Sequence, residues 1–333
     1  MLNMILADAE LELVPEPCWV HPAVVKDAHK RGKRPSRILL DASIHHQAMR
    51  ILPDYSRRGR PDIAHFFLLL CLDSKLNRRG LLRTFVHTRN NEVLFVSPKT
   101  NLPKNYNRFA GLIESVYNNT VVPSTEDPLL FIRRNMTLKQ LLERLDSKEI
   151  IAFSQSGQLS DLYTLFKSLP SEKNGGPLET EGTGGVVIEG AICHKEAEIA
   201  PETEQSESKK KKKGRKKKEK PHEKKISSSE KASGFKDFGD TLANSIEPAV
   251  SADSGSIAGY VLNKKLAEMN ISCIIGGFPE GDFISPVYEL ATKKISIFPE
   301  MLKVWAVTSE VIVSYDRAVA EVASSDNYKE EKA

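Results

Sequence analysis

The stretch Ile271-Ser272-Cys273-Ile274-Ile275-Gly276-Gly277, followed by Phe278-Pro279-Glu280-Gly281, decides the fold class of this chain. A short run rich in β-branched residues that ends at glycines predicts a buried strand followed by a loop. Glycine at a strand end lets the backbone come close to another group, because no Cβ intervenes. A second strand is predicted at residues 294–298 and a helix from about Met301. We therefore predict an α/β fold with two adjacent strand–loop units, the arrangement in which such sheets bind ligands.

Periodicity and capping residues predict the remaining elements. Residues 1–14 have the pattern of a strand and then a short helix stopped by Pro15. Residues 149–153 form a predicted buried strand that ends at Ser154, and Thr137 is a predicted helix N-cap. The other predicted strands are residues 38–40, 83–87, 92–97 and 128–134, and the helices are residues 45–51, 63–72, 109–117, 137–145 and 259–269.

The net charge of +4 is unevenly distributed over the 333 residues. Residues 201–225 contain 12 Lys or Arg and 5 Glu, a net charge of +7, which leaves −3 for the rest of the chain. This low-complexity block lies within residues 170–255, which we predict to be a disordered basic insertion. A non-specific RNA tether, a localisation signal and a solvated insertion without a role all fit it. RNA binding by the folded part must come from a local basic patch.

Other features narrow the class of protein. The longest apolar run, residues 66–72, is too short to cross a bilayer, and the first residues lack the basic start of a signal peptide. The cysteines form no C-x-x-C pair, which predicts reduced thiols. We expect a cytoplasmic protein, or a nucleolar one if the source is eukaryotic, with no membrane and no metal among its partners.

Two basic segments are candidates for binding. Arg57-Arg58-Gly59-Arg60-Pro61-Asp62 precedes an apolar helix, where Pro61 and Asp62 suit the first turn, and a solvated basic loop is the alternative. Lys99-Thr100-Asn101-Leu102-Pro103-Lys104-Asn105-Tyr106-Asn107-Arg108 places cations beside a tyrosine and amides. That mixture suits phosphate contacts and base stacking, with a solvated turn as the alternative.

The motifs together resemble the ribosome-biogenesis pseudouridine N1-methyltransferases of the SPOUT superfamily. The resemblance covers about residues 1–169 and 256–320. The amino terminus of the chain is more similar to archaeal members of the family than to eukaryotic ones. It rests on the 274–281 stretch, on the two basic segments, and on Asp41-Ala42-Ser43-Ile44-His45-His46-Gln47-Ala48-Met49, Leu72-Asp73-Ser74 and Val86-His87-Thr88. The absence of G-x-G-x-x-G after an early strand argues against a Rossmann-type methyltransferase.

The resemblance implies a trefoil-knotted fold with a mostly parallel sheet flanked by helices. It also implies S-adenosylmethionine as cofactor, held by Ser154, Ser156, Gly276, Gly281, Ile295, Ser296, Ile297, Phe298, Pro299 and Glu300. The organisation follows: residues 1–169 form the amino half with RNA-binding elements, 170–255 the insertion, 256–320 the carboxyl half with the cofactor loops, and 321–333 a tail.

The reaction implied by the resemblance is methylation at N1 of a pseudouridine in small-subunit rRNA by a homodimer. Arg60 is expected to contact the RNA, with Asp62 orienting it, and the family's three further arginines match Asn101, Lys104 and Arg108. Only Arg108 is unchanged; Lys104 keeps the charge without the bidentate fork, and Asn101 loses the charge.

The identity of the general base stays open in the sequence. Asp62 is a candidate, although its implied role is to orient Arg60, and Glu280 and Glu300 lie near the cofactor loops. Two other functions also stay open: a non-catalytic RNA-binding ribosome assembly factor that keeps the fold, and a SPOUT enzyme that acts on tRNA.

Overall fold

The computed structural model of the protein describes residues 1–170, 256–257 and 260–322. Its main sheet has eight strands in the order β10-β6-β9-β1-β2-β3-β5-β4. These strands are β1 (Leu2–Ala9), β2 (Leu82–Thr88), β3 (Val93–Val96), β4 (Val121–Pro123), β5 (Pro128–Arg133), β6 (Glu149–Leu159), β9 (Ile271–Gly276) and β10 (Lys293–Ser296). The first five in the order, from β10 to β2, are parallel, and the remaining three extend the sheet in antiparallel fashion.

The sequence of β1 explains why it lies at the centre of this sheet. All eight of its residues are buried, as expected for a parallel strand covered on both faces. Because side chains alternate along a strand, Leu2, Met4 and Leu6 pack into the larger hydrophobic cluster. Ile5 and Ala7 pack into the smaller cluster on the opposite face.

Helices cover both faces of the sheet. They are α1 (Pro22–Lys30), α2 (Ala42–Met49), α3 (Pro61–Leu72), α4 (Lys75–Arg78), α5 (Tyr106–Asn119), α6 (Leu138–Arg144), α7 (Leu162–Ser168), α8 (Lys264–Glu268), α9 (Val287–Leu290) and α10 (Val304–Val319). The long helix α10 packs against α3 and α7 on the face of the larger cluster. Helix α6 begins at Thr137 with the predicted N-cap and a reciprocal contact from Gln140, a capping box.

Three predictions about the strands are wrong. The two strands β9 and β10 are not adjacent, because β6 lies between them and pairs with both. Strand β6 does not end at Ser154 but continues to Leu159 after a change of register. Strand β10 ends at Ser296 rather than at residue 298.

Two predicted helices also differ from the structure. Residues 11–14 are extended, because the Val14 amide donates to Ile38 O (2.9 Å) and the Leu40 amide donates to Glu12 O (2.9 Å). The strand predicted at residues 38–40 is present only as the bridge between Leu13 and Leu39. The helix predicted at residues 259–269 is shortened to α8, because Tyr260–Leu262 (β8) pairs in a small sheet with Ser256–Ile257 (β7) and Ala320–Val322 (β11).

Several predictions concern chain segments that the structure describes only in part. The predicted insertion lies outside the described residues from residue 171 to residue 255, and the predicted tail lies outside them from residue 323.

Within the described ranges, Cys18, Cys71 and Cys273 are buried and unpaired. No helix there is long and apolar enough to cross a membrane. The same part of the chain holds no group of three or more His, Cys, Asp or Glu suited to a metal ion.

Candidate active site

The glycine pair at the end of β9 forms a tight junction with the end of β1. The Gly277 amide donates to Ala7 O at 2.7 Å, and Gly277 O accepts from the Glu10 amide at 3.1 Å. A Cβ on Gly277 would lie 2.6 Å from the Cα of Ala9, closer than real Cβ contacts come. Only glycine fits here, as the close approach predicted from the sequence requires.

The register change in β6 opens a space beside this junction. Ile151 and Ala152 pair with the start of β10, and pairing resumes only where Gln158 meets Ile295. The intervening residues therefore leave the regular ladder, and Ser154 and Ser156 line a cavity. Gly157 passes Ile295 so closely that a Cβ would lie 2.4 Å from the Ile295 carbonyl carbon.

A buried aspartate at the end of β1 fixes the loop between β9 and α9. Asp8 adopts a positive φ of 51°. Its carboxylate accepts from the amides of Ile284 (2.7 Å) and Ser285 (2.9 Å) and from the Ser285 hydroxyl (2.6 Å). The buried ring of His87 lies beside it, with Nδ1 3.7 Å from Asp8 Oδ1. Burial lowers the pKa of His87, and the negative charge of Asp8 only partly opposes that effect.

A tyrosine on α9 connects this loop to β6. The Tyr288 hydroxyl lies 2.6 Å from Asp282 Oδ1 and 3.0 Å from Ser154 Oγ. Burial, followed by the hydrogen bond to Asp282, raises the pKa of Tyr288. The hydroxyl therefore stays protonated and holds the Asp282 carboxylate at the cavity wall. The Lys294 ammonium covers the tyrosine ring at 3.8 Å from its centre.

The cavity lies where the carboxyl ends of β9 and β10 meet the bowed part of β6, and it encloses about 620 Å³. Ligand pockets of small-molecule proteins fall in this size range. All ten residues predicted to hold the cofactor line it, namely Ser154, Ser156, Gly276, Gly281, Ile295, Ser296, Ile297, Phe298, Pro299 and Glu300. The sheet thus brings together two chain segments that are separated by more than 100 residues of sequence.

Arg60 lies at this cavity and is held by Asp62. Arg60 Nε and Nη2 donate to the two carboxylate oxygens of Asp62 at 2.8 Å and 2.7 Å, a bidentate pair. The hydrogen bond to Asp62 is the main cause that raises the pKa of Arg60. The two side chains are therefore in contact, and their roles in RNA binding stay predictions. Both oxygens of Asp62 are engaged, which favours the orienting role over the role of general base.

Two hydrogen bonds fix the second basic segment, one to α3 and one to the residue that caps α2. His65 Nε2 lies 2.8 Å from Pro103 O, and the Tyr106 hydroxyl donates to Asp41 Oδ2 at 2.5 Å. Tyr106 is half-buried by this contact, so its availability for base stacking is smaller than the sequence suggested. The three residues at the family's arginine positions, Asn101, Lys104 and Arg108, are all exposed, and none of them lines the cavity.

Sequence patterns missed several residues of this site. Asp8 and Tyr288 hold the cavity loop by contacts over long sequence distances, to Ile284 and Ser154 respectively, and no local pattern signals them. Asp282 is added through its contact with Tyr288, six residues later. Arg57 and Glu10 form an ion pair at 2.7 Å behind the loop. Only Arg57 had a sequence signal, since it belongs to the basic stretch that precedes α3.

The strand order and the cavity together define a class of protein. The chain has a SPOUT-type α/β methyltransferase fold, and loops at the carboxyl ends of parallel strands build its cavity. The family model of the EMG1/NEP1 methyltransferases matches residues 4–316, and the chain belongs to this family.

Curated relatives agree with this assignment. The chain is 32% identical over 324 residues to the "Ribosomal RNA small subunit methyltransferase Nep1" of Methanothrix thermoacetophila, covering 97% of this chain and 99% of that protein. It is 34% identical over 315 residues to the protein of the same description from Pyrococcus furiosus, covering 95% and 96% respectively. The crystal structure of Archaeoglobus fulgidus Nep1 bound to S-adenosylhomocysteine is similar, with a TM-score of 0.59, 25% identity, and coverage of 95% of this chain and 97% of that one.

Proposed function

We propose that the protein transfers a methyl group from S-adenosylmethionine to N1 of a pseudouridine in small-subunit rRNA, and so takes part in small-subunit biogenesis. One observation carries the proposal: a single cavity gathers all ten predicted cofactor residues and has Arg60 in its lining. The names of the curated relatives and the S-adenosylhomocysteine in the Archaeoglobus structure support it. On this reading, residues 1–169 and 256–320 act as two halves of one catalytic unit.

The chemistry of the cavity fits S-adenosylmethionine. Ile275, Ile297 and Val307 supply apolar wall against which an adenine can pack, and the main chain of residues 297–300 offers polar groups to its edge. Gly281 has a φ of +82°, which favours glycine, and an added Cβ there would lie 3.3 Å from Arg57 Nη1, a tight contact. When bound, S-adenosylmethionine supplies an electrophilic methyl group on a sulfonium. Three lining carboxylates, Glu280, Asp282 and Glu300, outnumber the two lining cations, Arg60 and Lys303, and this excess of negative charge suits a cation.

The RNA is positioned by cations whose geometry is set before it arrives. Asp62 holds Arg60 in one orientation, so Arg60 loses little side-chain freedom when it meets a phosphate or base edge. Lys104 and Arg108 extend the basic surface along the segment that precedes and begins α5. A target base flipped out of its helix would enter beside Arg60, since enzymes that modify bases act on extruded nucleotides.

The proposal includes a homodimer. Large apolar side chains are exposed next to one another where α3 meets the start of α10: the Phe66 and Trp305 rings lie 5.5 Å apart, and 49% of Phe66 and 40% of Trp305 is exposed. Met301, 65% exposed, lies four residues before Trp305. Exposed apolar patches of this kind are typical of protein interfaces. Sedimentation should give the mass of a dimer, and Phe66→Glu should lower it to a monomer, while Val20→Glu on another exposed apolar residue should not.

The test of the function is transfer of labelled methyl groups to a small-subunit rRNA hairpin, synthesised once with pseudouridine and once with uridine at the target. Label on the pseudouridine RNA alone supports the proposal, because uridine has no N–H at the corresponding position. Label on the uridine RNA as well would contradict the proposed acceptor atom.

A non-catalytic assembly factor is the second candidate function. The observation that favours it is the loss of arginine at Asn101 and Lys104, two exposed positions of the proposed RNA surface. Bound cofactor without label on either hairpin would support it. For a tRNA substrate there is no such support, since the relatives described above are named for small-subunit rRNA.

A further inference from the structure

Glu10, which directly follows β1, touches both the cofactor loop and the RNA-contact segment through its main chain. Its amide donates to Gly277 O at 3.1 Å, and its carbonyl accepts from the Arg60 amide at 3.0 Å. One residue therefore joins the backbone of the cavity wall to the backbone of the arginine proposed to contact RNA.

The side chain of Glu10 makes the same connection through Arg57. The Glu10 side chain is fully buried, and its two oxygens accept from Arg57 Nε at 2.7 Å and from Arg89 Nη1 at 3.0 Å. Burial of a carboxylate is tolerated when cations of fixed geometry satisfy it, and removing one of them leaves a charge uncompensated. The position of Arg57 is therefore strongly determined.

Arg57 also reaches across to the cofactor loop. Its Nη1 donates to Asp282 O at 2.9 Å, and its guanidinium lies over the Phe278 ring, 4.3 Å from the ring centre. Only 12% of its side chain is exposed, so Arg57 is not an RNA-contact residue like Arg60. A planar guanidinium can stack and donate in several directions at once, which lysine cannot do.

We propose that Arg57, held by Glu10, is a positioning residue that couples the cofactor cavity to the RNA-contact segment. This proposal rests on the proposed function. When a ligand orders the loop of residues 277–282, the bridge through Arg57 and Glu10 orders the segment that carries Arg60. Cofactor binding thus raises the affinity for RNA, and RNA raises the affinity for the cofactor by the same factor.

The experiment compares the dissociation constant of the rRNA hairpin with and without saturating S-adenosylhomocysteine. For the wild-type protein we expect binding at least about 5-fold tighter with the ligand, at the lower end of measured couplings. For Arg57→Gln and Arg57→Lys we expect the ratio of the dissociation constants without and with the ligand to be close to one. Lysine keeps the charge beside Glu10 but loses the planar stack on Phe278. Lys139→Gln, on the exposed face of α6, serves as a control that keeps the wild-type ratio.

The ratio distinguishes a positioning role from a merely structural one. A loss of folded protein lowers the amount of active material but leaves the ratio of the two dissociation constants unchanged. Loss of the bridge, in contrast, brings that ratio to one in protein with a normal circular dichroism spectrum. If Arg57→Gln does not fold, the lysine variant decides the matter. A wild-type ratio of one, or an undiminished ratio in Arg57→Lys, would overturn the proposal. Failure of the proposed function looks different: the wild-type protein would then not bind S-adenosylhomocysteine or would not methylate the pseudouridine hairpin.

Discussion

The cofactor cavity and the segment of residues 99–108 are built by opposite means. The cavity depends on main-chain positions: Gly277 touches Ala9, Gly157 passes Ile295, and Asp8 holds a loop through two amides. The segment presents exposed side chains on a backbone fixed by the contacts at Pro103 and Tyr106. A substitution at Gly277 or Gly157 would disturb the main-chain packing of the cavity, whereas a substitution at an exposed position of the segment changes mainly its charge.

This difference gives a physical reason for the departure from the family's arginines at two positions of the segment. Asn101 and Lys104 replace two expected arginines at exposed positions where nothing in the packing requires arginine. Every predicted cofactor residue, in contrast, is present and lines one cavity. The fold thus fixes the cavity, whereas the charge of the exposed segment can vary.

The largest effect is expected from Gly281→Arg, which fills the cavity. The positive φ of +82° costs an arginine about 1–2 kcal/mol, and its side chain enters the space proposed for the cofactor. Calorimetry should show S-adenosylhomocysteine binding weakened by at least about 100-fold, equivalent to about 2.7 kcal/mol. Gly32→Arg is the matched control, since Gly32 has a φ of +62° with nothing within 4 Å of an added Cβ. Undiminished binding by the Gly281 variant would remove the cavity from the account.

A smaller effect, on the other region, is expected from Arg60→Ala. Loss of one pre-oriented, charge-assisted contact should weaken binding of the rRNA hairpin by about 10-fold. Intrinsic affinity for S-adenosylhomocysteine without RNA should stay within about 3-fold of wild type, because the Arg60 amide can still donate to Glu10 O. A filter-binding assay measures the first value and calorimetry the second. RNA affinity equal to that of wild type would exclude Arg60 from the contact surface.

The double substitution Asn101→Arg and Lys104→Arg tests whether the exposed segment can be changed at little cost. Asn101→Arg adds one positive charge, and its phosphate contact should steepen the salt dependence of RNA binding by about 0.7 to 0.9 in the logarithmic slope, whereas Lys104→Arg keeps the charge and adds only the bidentate fork. Hairpin affinity should rise a few-fold, while thermal stability and cofactor affinity stay unchanged. An unaltered salt slope would mean that the RNA does not pass over Asn101.

The smallest effect is the pH dependence of stability, which involves His87 beside Asp8, the residue that holds the cavity loop. Burial lowers the pKa of both His45 and His87 below the ordinary value of 6.5. The unfolded chain therefore takes up protons first as the pH falls through 6.5, and the folded protein loses stability there. Thermal unfolding should show a melting temperature that declines from pH 7 to pH 5. The decline should be shallower in His87→Gln. An equally steep decline in that variant would mean that His87 does not contribute to the pH dependence of stability.

Features that depend on neighbouring residues could be predicted from the sequence, whereas features that depend on distant partners could not. The end of β9 at Gly276-Gly277 and the Thr137 cap depend on neighbouring residues, so both predictions are confirmed. The course of β6 beyond Ser154 depends on pairing with β10, more than 130 residues later, and periodicity carries no signal for it.

The candidate site follows the same rule. Its glycines and its basic stretches can be identified in the sequence, and the resemblance gathers them into one site. The residues that hold the loops, Asp8, Glu10 and Tyr288, act across the fold and became visible only in the structure. Their side chains satisfy partners that come from other elements of the fold, and a single-sequence pattern has no access to such pairs.

The most direct test of the central claim is to find where the methyl group goes. The protein would be incubated with S-adenosylmethionine and the pseudouridine hairpin, the RNA digested, and the nucleosides separated by liquid chromatography with mass detection. We expect one methylated nucleoside that co-elutes with N1-methylpseudouridine and disappears in Gly281→Arg. Bound cofactor with unmethylated pseudouridine, or a methyl group at another atom, would contradict it.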